Sequence, residues 1–474
     1  MSTITRVYRT DIPVTSDELM AWHASPGAFD RLTPPWRRVE VVEQQGTIEP
    51  GNRKTLRIPL AGALGVTWTL EHEALERVTG FADVQVDGPF KRWRHEHRFL
   101  PDGDGASMLE DRLTWELPRG GSVAAGRFQR ELDRLFTFRH ERTRHDLARL
   151  DAARRPLRVA ITGASGLVGQ RLSGFLRAGG HEVFRLVRGR ADAPDAIHWN
   201  PATGEIDAGA LEGMDAVVHL AGASIAGGLW TRKRKAAIRD SRIHGTHLLA
   251  KTLAGLDNPP AVFVSTSAVG YYGSRGDAVL TESSAPGEGF LSDVVQAWEA
   301  AAAPAARAGI RVVHPRLGVV LAGDGGMLPL ISMPFRLGAG GPLGSGRQYF
   351  SWIAIDDLVS VLFEAIVNDE LEGPVNAVAP QEVTNAEFTE TLARVLHRPA
   401  IFRVPAGVMK LAAGQLAEEV ILVSQRVRPE RLADSGFQFA FPTLEQALRH
   451  ELGRYDRDHG TSQIDPVGSS RHVA

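Results

Sequence analysis

Eight consecutive residues, Thr162-Gly163-Ala164-Ser165-Gly166-Leu167-Val168-Gly169, have the composition and spacing of a phosphate-binding turn. The apolar run Leu157 to Ile161 leads into them, and a stretch with Leu172, Phe175 and Leu176 at helical spacing leads out. In a strand, turn and helix of this kind the three glycines have separate tasks. Gly163 permits the sharp turn, Gly166 lets backbone N–H groups approach a pyrophosphate, and Gly169 lets the helix lie close to the strand. The helix N-terminus then faces the phosphates, so Thr162, Ser165, Leu167 and Val168 join the glycines as expected cofactor contacts.

The next apolar run, Glu182 to Val187, ends in Arg188, about 20 residues beyond the turn, where the adenosine ribose is read. A carboxylate there would bind a ribose 2′-OH and repel a 2′-phosphate, whereas a guanidinium can hold that phosphate through two hydrogen bonds. NADP is therefore expected over NAD, the alternative being a solvated surface arginine. The run Asp215 to Gly222 ends in small residues, so Leu220, Ala221 and Gly222 offer backbone to the adenosine half, unless they form a plain strand-to-loop junction.

These motifs require a particular scaffold. From Leu157 onward short apolar runs, including Ala216 to Leu220, Ala261 to Ser265 and Arg311 to Pro315, alternate with helical patterns. That alternation predicts an α/β domain, a doubly wound parallel sheet. The first 152 residues read differently. Strand-like alternation in Thr3 to Thr10, Val39 to Gln44, Asn52 to Pro59, Thr67 to Leu75, Phe81 to Val86, Arg92 to Phe99 and Ser107 to Glu116 predicts an antiparallel meander. A short helix from Ser16 to Trp22 follows its first strand, and Ser122 to Arg149 predicts one long amphipathic helix, giving an α+β unit. Arg154-Arg155-Pro156 marks the boundary, because the residue before a proline leaves the helical region. The expected organisation is therefore an α+β unit over 1–152, the α/β domain over 156–395, a small substrate-side domain over 396–455 and a polar, disordered tail over 456–474. His95 and His97 stand two apart on a predicted strand and share a face, but no third ligand is evident and no metal is expected.

Composition narrows the function classes. At 474 residues the chain is long enough for two or three domains, and a net charge of −2 gives no electrostatic footprint for nucleic acid or an anionic membrane surface. Small-molecule partners are expected instead. There is no cysteine, which removes disulfides, thiolate catalysis and thiolate metal sites. No basic and apolar leader and no run of about 18 apolar residues occurs, so a cytoplasmic protein is expected. Nothing in the sequence settles the oligomeric state.

Two resemblances follow from these residues. The order of Tyr8-Arg9-Thr10-Asp11-Ile12-Pro13-Val14, the early helix and the long final helix resembles the helix-grip fold of START-like and polyketide-cyclase-like proteins. This implies an apolar ligand enclosed by the N-terminal module; a filled core without a ligand is the alternative. The second begins with the turn at Thr162, His219-Leu220-Ala221-Gly222 and Ser265-Thr266-Ser267-Ala268-Val269-Gly270-Tyr271-Tyr272-Gly273. In that order they resemble the extended short-chain dehydrogenase/reductases, which implies a cofactor contact at Ser265. Pro315 to Leu321, Phe335 to Gly338, Gly344 to Gln348 and the stretch from Val404 to Leu448 are similar to one subgroup, described as nucleoside-diphosphate-sugar-epimerase-like or cell-division-inhibitor-like, with a C-terminal domain of unknown function.

Members of that superfamily normally use a Tyr to move a proton at the substrate oxygen, a Lys four residues later to lower its pKa, and a Ser or Thr on the same oxygen. Ser267 is the expected hydroxyl, with Thr266 second. The Tyr and Lys positions hold Leu291 and Val295 if Glu299 matches the acidic residue that trails the motif. Tyr272 is then the expected catalytic acid and Tyr271 a substrate contact, with Asp293 a further option. Arg316, Arg336 and Arg347 are candidate anion contacts, although Arg336 and Arg347 have Asp356 or Asp357 as alternative partners. The Gly-rich stretch Gly323 to Gly346 is expected to be a long substrate-binding loop. The reading that results is an NADP-dependent oxidoreductase or epimerase-like enzyme, with a non-catalytic NADP(H) sensor as its competitor.

Overall fold

A computed structural model describes residues 3–59, 65–117, 125–153 and 155–455 and the strand at 463–465. It divides into two units, one built mainly from Met1–Arg154 and one mainly from Arg155–Glu451.

The first unit follows the period-2 pattern of its sequence. Strands β1 (Ile4–Ile12), β2 (Glu40–Gln44), β3 (Arg53–Pro59), β4 (Gly65–Ala74), β5 (Thr79–Asp87), β6 (Arg92–Pro101) and β7 (Ser107–Glu116) form one antiparallel sheet in the order β2-β3-β4-β5-β6-β7-β1. Helix α1 (Ser16–Ala24) starts where Thr15 and Glu18 form a reciprocal cap, the Thr15 hydroxyl accepting from Glu18 N and the Glu18 carboxylate accepting from Thr15 N. Helix α2 (Ala28–Arg31) follows, and the long helix α3 (Ala125–Leu150) closes the unit. The expected start of that helix at residues 122–124 lies outside the described residues. Leu132 and Phe136 of α3 share a core with Tyr8, Leu56, Leu70, Trp93, Leu113 and Trp115 from the sheet.

The second unit is doubly wound. In chain order it comprises β8 (Arg158–Thr162), α4 (Leu167–Ala178), β9 (Glu182–Val187), β10 (Ala196–Asn200), β11 (Glu205–Ile206), β12 (Ala216–His219), α5 (Arg232–Leu253), β13 (Val262–Ser265), β14 (Ser267–Ala268), β15 (Val279–Leu280), α6 (Phe290–Ala300), α7 (Ala303–Arg307), β16 (Arg311–Leu317), β17 (Val319–Ala322), β18 (Gly325–Gly326), α8 (Met327–Arg336), β19 (Trp352–Ala354), α9 (Ile355–Val367) and β20 (Gly373–Ala377). Then come α10 (Asn385–Leu396), α11 (Ala406–Ala413), β21 (Arg426–Val427), α12 (Glu430–Asp434) and α13 (Leu444–Leu452). The main sheet runs β10-β9-β8-β12-β13-β16-β20 with all neighbours parallel, and β11 adds an antiparallel edge. This is the strand order that leaves a crevice where the winding reverses, between the ends of β8 and β12. Among the described residues no helix is long and apolar enough to cross a membrane.

Three expectations change. The stretch Gly323 to Gly346 is not one loop, because Met327–Arg336 is helical despite Pro334 near its end. Asp356 and Asp357, the alternative partners of Arg336 and Arg347, are engaged elsewhere. Asp357 accepts from Ala440 N and Phe441 N, and Asp356 lies 3.5 Å from His450. Within the expected tail, Gln463–Asp465 forms β22 and pairs antiparallel with β1, and the rest of 456–474 lies outside the described residues.

Candidate functional site

The parallel register sets three strand ends side by side. Thr162 is level with His219 of β12 and with Leu186 of β9, so the turn after β8, the segment Leu220 to Gly222 and Arg188 share one edge. Gly163 has φ +68°, and a Cβ there would lie 3.0 Å from Ala221 N. A Cβ on Gly169 would meet Gly163 O at 2.3 Å, whereas one on Gly166 would find only that oxygen, at 3.2 Å. The fold therefore requires Gly163 and Gly169, and Gly166 keeps one side of the turn open. Ser165, Gly166 and Gly222 are exposed, and Leu167, Val168, Leu220 and Ala221 are half-buried. Exposed Arg188 has no ion partner among the described residues. An open glycine turn, a twelve-residue helix starting at it and an unpaired guanidinium together fit a dinucleotide with a 2′-phosphate.

Two side chains expected at the cofactor face inward instead. Thr162 is fully buried, and its hydroxyl lies 2.7 Å from His219 Nδ1 while accepting from Leu220 N and Ala221 N. It fixes the segment that offers backbone rather than touching a ligand itself. Ser265 is fully buried at the end of β13, which leaves only its backbone for such a role. Burial and then the Arg242 charge lower the pKa of His219 to about 3, so it is neutral.

The expected catalytic pair is likewise internal. Ser267 Oγ donates to Glu299 Oε1 at 2.6 Å, and the Arg316 fork donates to both oxygens of Glu299 at 2.8 and 2.9 Å. Arg316 also donates to the Tyr272 hydroxyl, which in turn donates to Asn376 Oδ1 at 2.7 Å. Ser267, Arg316 and Tyr272 are 2%, 3% and 0% exposed, so none presents a free group to a substrate. Burial raises the Tyr272 pKa against the lowering effect of Arg316, which makes it a weaker acid than an ordinary tyrosine. Tyr272, Ser267 and Arg316, expected as acid, polarising hydroxyl and anion contact, thus each have their polar atoms partnered within the chain. Thr266 is no replacement, since its hydroxyl donates to His219 O.

Tyr271 differs. Its half-buried ring lies over the Arg316 guanidinium at 3.5 Å, and its hydroxyl has no hydrogen-bond partner among the described residues. Next to it, a Cβ on Gly270 would meet Leu291 Cβ at 3.4 Å and Val295 Cγ2 at 3.8 Å, so the two residues expected at the Tyr and Lys positions face this segment. Asp293 is exposed on α6. Glu419 caps α6 by accepting from Phe290 N and Leu291 N, a contact from a segment 128 and 129 positions away that no local pattern links to the site. Arg336 and Arg347 are exposed and pair with neither Asp356 nor Asp357.

In the first unit a cavity of about 160 Å³ opens between α2, α3 and the sheet, lined by Phe29, Leu56, Trp68, Phe81, Trp93 and Phe136 among others. His95 and His97 form part of its wall, and the structure supplies the third group that sequence reasoning missed: Asp83, on the neighbouring strand β5. All three groups take part in close ion-pair contacts. His97 Nδ1 lies 2.9 Å from Asp111 and its Nε2 3.3 Å from Asp83, His95 Nε2 lies 2.8 Å from Asp111, and His72 Nδ1 lies 2.7 Å from Asp83.

With this geometry in place, residues 159–378 match the model of the NAD dependent epimerase/dehydratase family, and residues 404–451 match a domain of unknown function. An epimerase family protein of Mycobacterium bovis is 44% identical over 296 residues, covering 62% of this chain and 98% of the relative. The human epimerase family protein SDR39U1 is 38% identical over 296 residues, covering 62% and 99%. Its crystal structure with NADPH superposes with a TM-score of 0.58 at 36% identity, covering 63% of this chain and all of that one. A nucleoside-diphosphate sugar epimerase from Corynebacterium glutamicum superposes with a TM-score of 0.76 at 36% identity, covering 94% of this chain and 90% of that one.

Proposed function

The chain belongs to the NAD dependent epimerase/dehydratase family, and from that premise we propose that it is an NADP(H)-dependent oxidoreductase or epimerase-like enzyme acting on a small molecule. The observation that carries this reading is the open turn at Gly166 beside unpaired Arg188. The human relative solved with NADPH supports the same cofactor. When bound, the nicotinamide supplies hydride chemistry. The protein's part is to hold the pyrophosphate at the α4 N-terminus, read the 2′-phosphate with Arg188 and present Tyr271 as the proton donor, with exposed Arg347 as a contact for an acidic substrate.

Titration with NADPH and NADH tests the cofactor reading: NADPH should bind at least tenfold tighter, and Arg188→Ala should abolish the difference. Equal affinities in the wild type would overturn it. Two observations favour a second reading, a non-catalytic NADP(H) sensor: the resemblance, aligned through Glu299, puts Leu291 and Val295 at the proton-transfer positions, and Ser267 is bonded to Glu299. Oxidation of NADPH across a panel of carbonyl compounds separates the two, because tight binding without turnover supports the sensor.

For the first unit we propose a helix-grip, START-like module that holds an apolar ligand in its cavity. Its long helix on an antiparallel sheet supports that reading. A cytoplasmic location is proposed with it, on the absence of cysteine.

A further inference from the structure

The cavity of the first unit has an apolar wall and three cations without a direct ion pair. Phe29, Leu56, Trp68, Leu70, Trp93 and Phe136 supply the apolar surface, but Arg37, Lys54 and Arg139 line it as well. None of these three cations has a carboxylate within 4.0 Å among the described residues. Lys54 Nζ lies over the Phe29 ring at 4.1 Å, and Arg139 lies over Phe136 at 5.5 Å with its Nε donating to Leu32 O. These contacts orient the side chains without neutralising them. The one carboxylate on the wall, Asp83, is engaged with His72 and His97, and Asp111 behind it with His95, His97 and His140.

Burial holds all three cations below their ordinary pKa values, although Asp83 and Asp30 attract Lys54, Asp111 and Asp83 attract Arg139 and Glu131 attracts Arg37; repulsion by Arg139, Arg37 and Arg134 respectively adds to the effect of burial. A fold does not gain by gathering like charges in a partly dry cavity, since desolvation and mutual repulsion both oppose it. Such an arrangement becomes favourable when an anion completes it. Local destabilisation of this kind is characteristic of binding sites.

We propose that the cavity holds a small organic anion, an aryl or short alkyl body bearing one carboxylate or phosphate head, with the head among Lys54, Arg139 and Arg37. The size agrees, because an engineered cavity of about 150 Å³ takes up benzene. Arginine forks meet either head bidentately, and the aromatic wall accepts the body. This inference rests on the reading of the cavity as a ligand site and gives the ligand its charge.

Fluorine NMR of the full chain provides the test, with 4-fluorobenzoate and 4-fluorophenyl phosphate as anions and 4-fluorobenzyl alcohol and 4-fluorobenzylamine as controls. At least one anion should bind tenfold or more tightly than the alcohol, and the better of the two identifies the head group. Lys54→Met should weaken that anion at least tenfold, leave the alcohol within twofold and not lower Tm, while Lys54→Arg should retain the affinity. If the alcohol binds as well as both anions, the inference fails and the apolar-ligand reading stands. If no probe binds, both fail. Undiminished anion binding by Lys54→Met would also overturn the inference, and alcohol binding by that variant shows that it is folded.

Discussion

Ser267 Oγ and Arg316 Nε converge on the same oxygen, Oε1 of Glu299, at 2.6 and 2.8 Å. The ladder between β14 and β16 sets Ser267 opposite Arg316, so backbone pairing fixes the two donors before the carboxylate arrives from α6. A hydroxyl held in this way serves the fold.

Glu299 is accordingly a stability residue. Glu299→Ala leaves the Arg316 charge buried and unpaired, which costs about 3–5 kcal/mol in urea denaturation. Burial raises the Glu299 pKa, but hydrogen bonds and charge from Arg316 outweigh it and the folded value lies below the ordinary 4.5. Its contribution is therefore complete above about pH 4.5 and is lost as the pH falls through the folded pKa. Glu299→Gln should flatten the acid limb of the stability profile.

Substitution at two glycines of the turn should give opposite phenotypes. Gly169→Ala forces a Cβ to within 2.3 Å of Gly163 O, so the protein should lose about 1–3 kcal/mol or more of stability. Gly166→Ala meets nothing closer than 3.2 Å, and its Tm should stay near that of the wild type while NADPH affinity falls at least tenfold. Equal Tm losses for the two would contradict the assignment of tasks.

The adjacent tyrosines should separate in the same manner. If Tyr271 donates the proton, Tyr271→Phe lowers kcat by about 10²–10⁴ on any substrate found, with NADPH affinity unchanged. Tyr272→Phe leaves Asn376 and Arg316 short of a partner and lowers stability by about 1–3 kcal/mol. A larger kcat effect at Tyr272 than at Tyr271 would reverse the roles.

The histidine cluster predicts a limited pH range for the first unit. Burial would lower the His97 pKa, but Asp111 and Asp83 overcome it and raise the value to about 9. A raised value means that this contribution is full below about 6.5 and disappears as the pH rises through 9. His95 moves the other way, to about 4 through burial and the His97 charge, so it loses stability as the pH falls from 6.5. Denaturant midpoints should be highest near pH 6.5 and fall on either side, and His97→Gln should remove the alkaline loss while lowering the midpoint at neutral pH.

How far the sequence could be read depended on the range of the interaction. The turn at Gly163, Gly166 and Gly169 and the alternating strands of the first unit were visible because each is set by residues within a few positions. Arg188 was reached by counting along one strand. The internal bonds of Ser267 and Tyr272 were not legible because their partners, Glu299 and Asn376, lie 32 and 104 positions away and no local pattern announces them. Asp83 was missed beside His95 and His97 because only the pairing of β5 with β6 brings it there. Helix α8 was read as loop because its flanking glycines and internal Pro334 outweighed its apolar spacing.

The cap that Glu419 places on α6 makes the 404–451 segment a tethered occupant of the site's own scaffold. Its carboxylate reaches back 129 positions to satisfy donors that an isolated helix end would offer to a free anion. Deleting that segment would therefore create a new positive end beside Gly270 and Tyr271, and a diffusing phosphate or acidic metabolite could settle there. A chain shortened after residue 403 should accordingly gain a spurious ligand preference rather than report the intrinsic one.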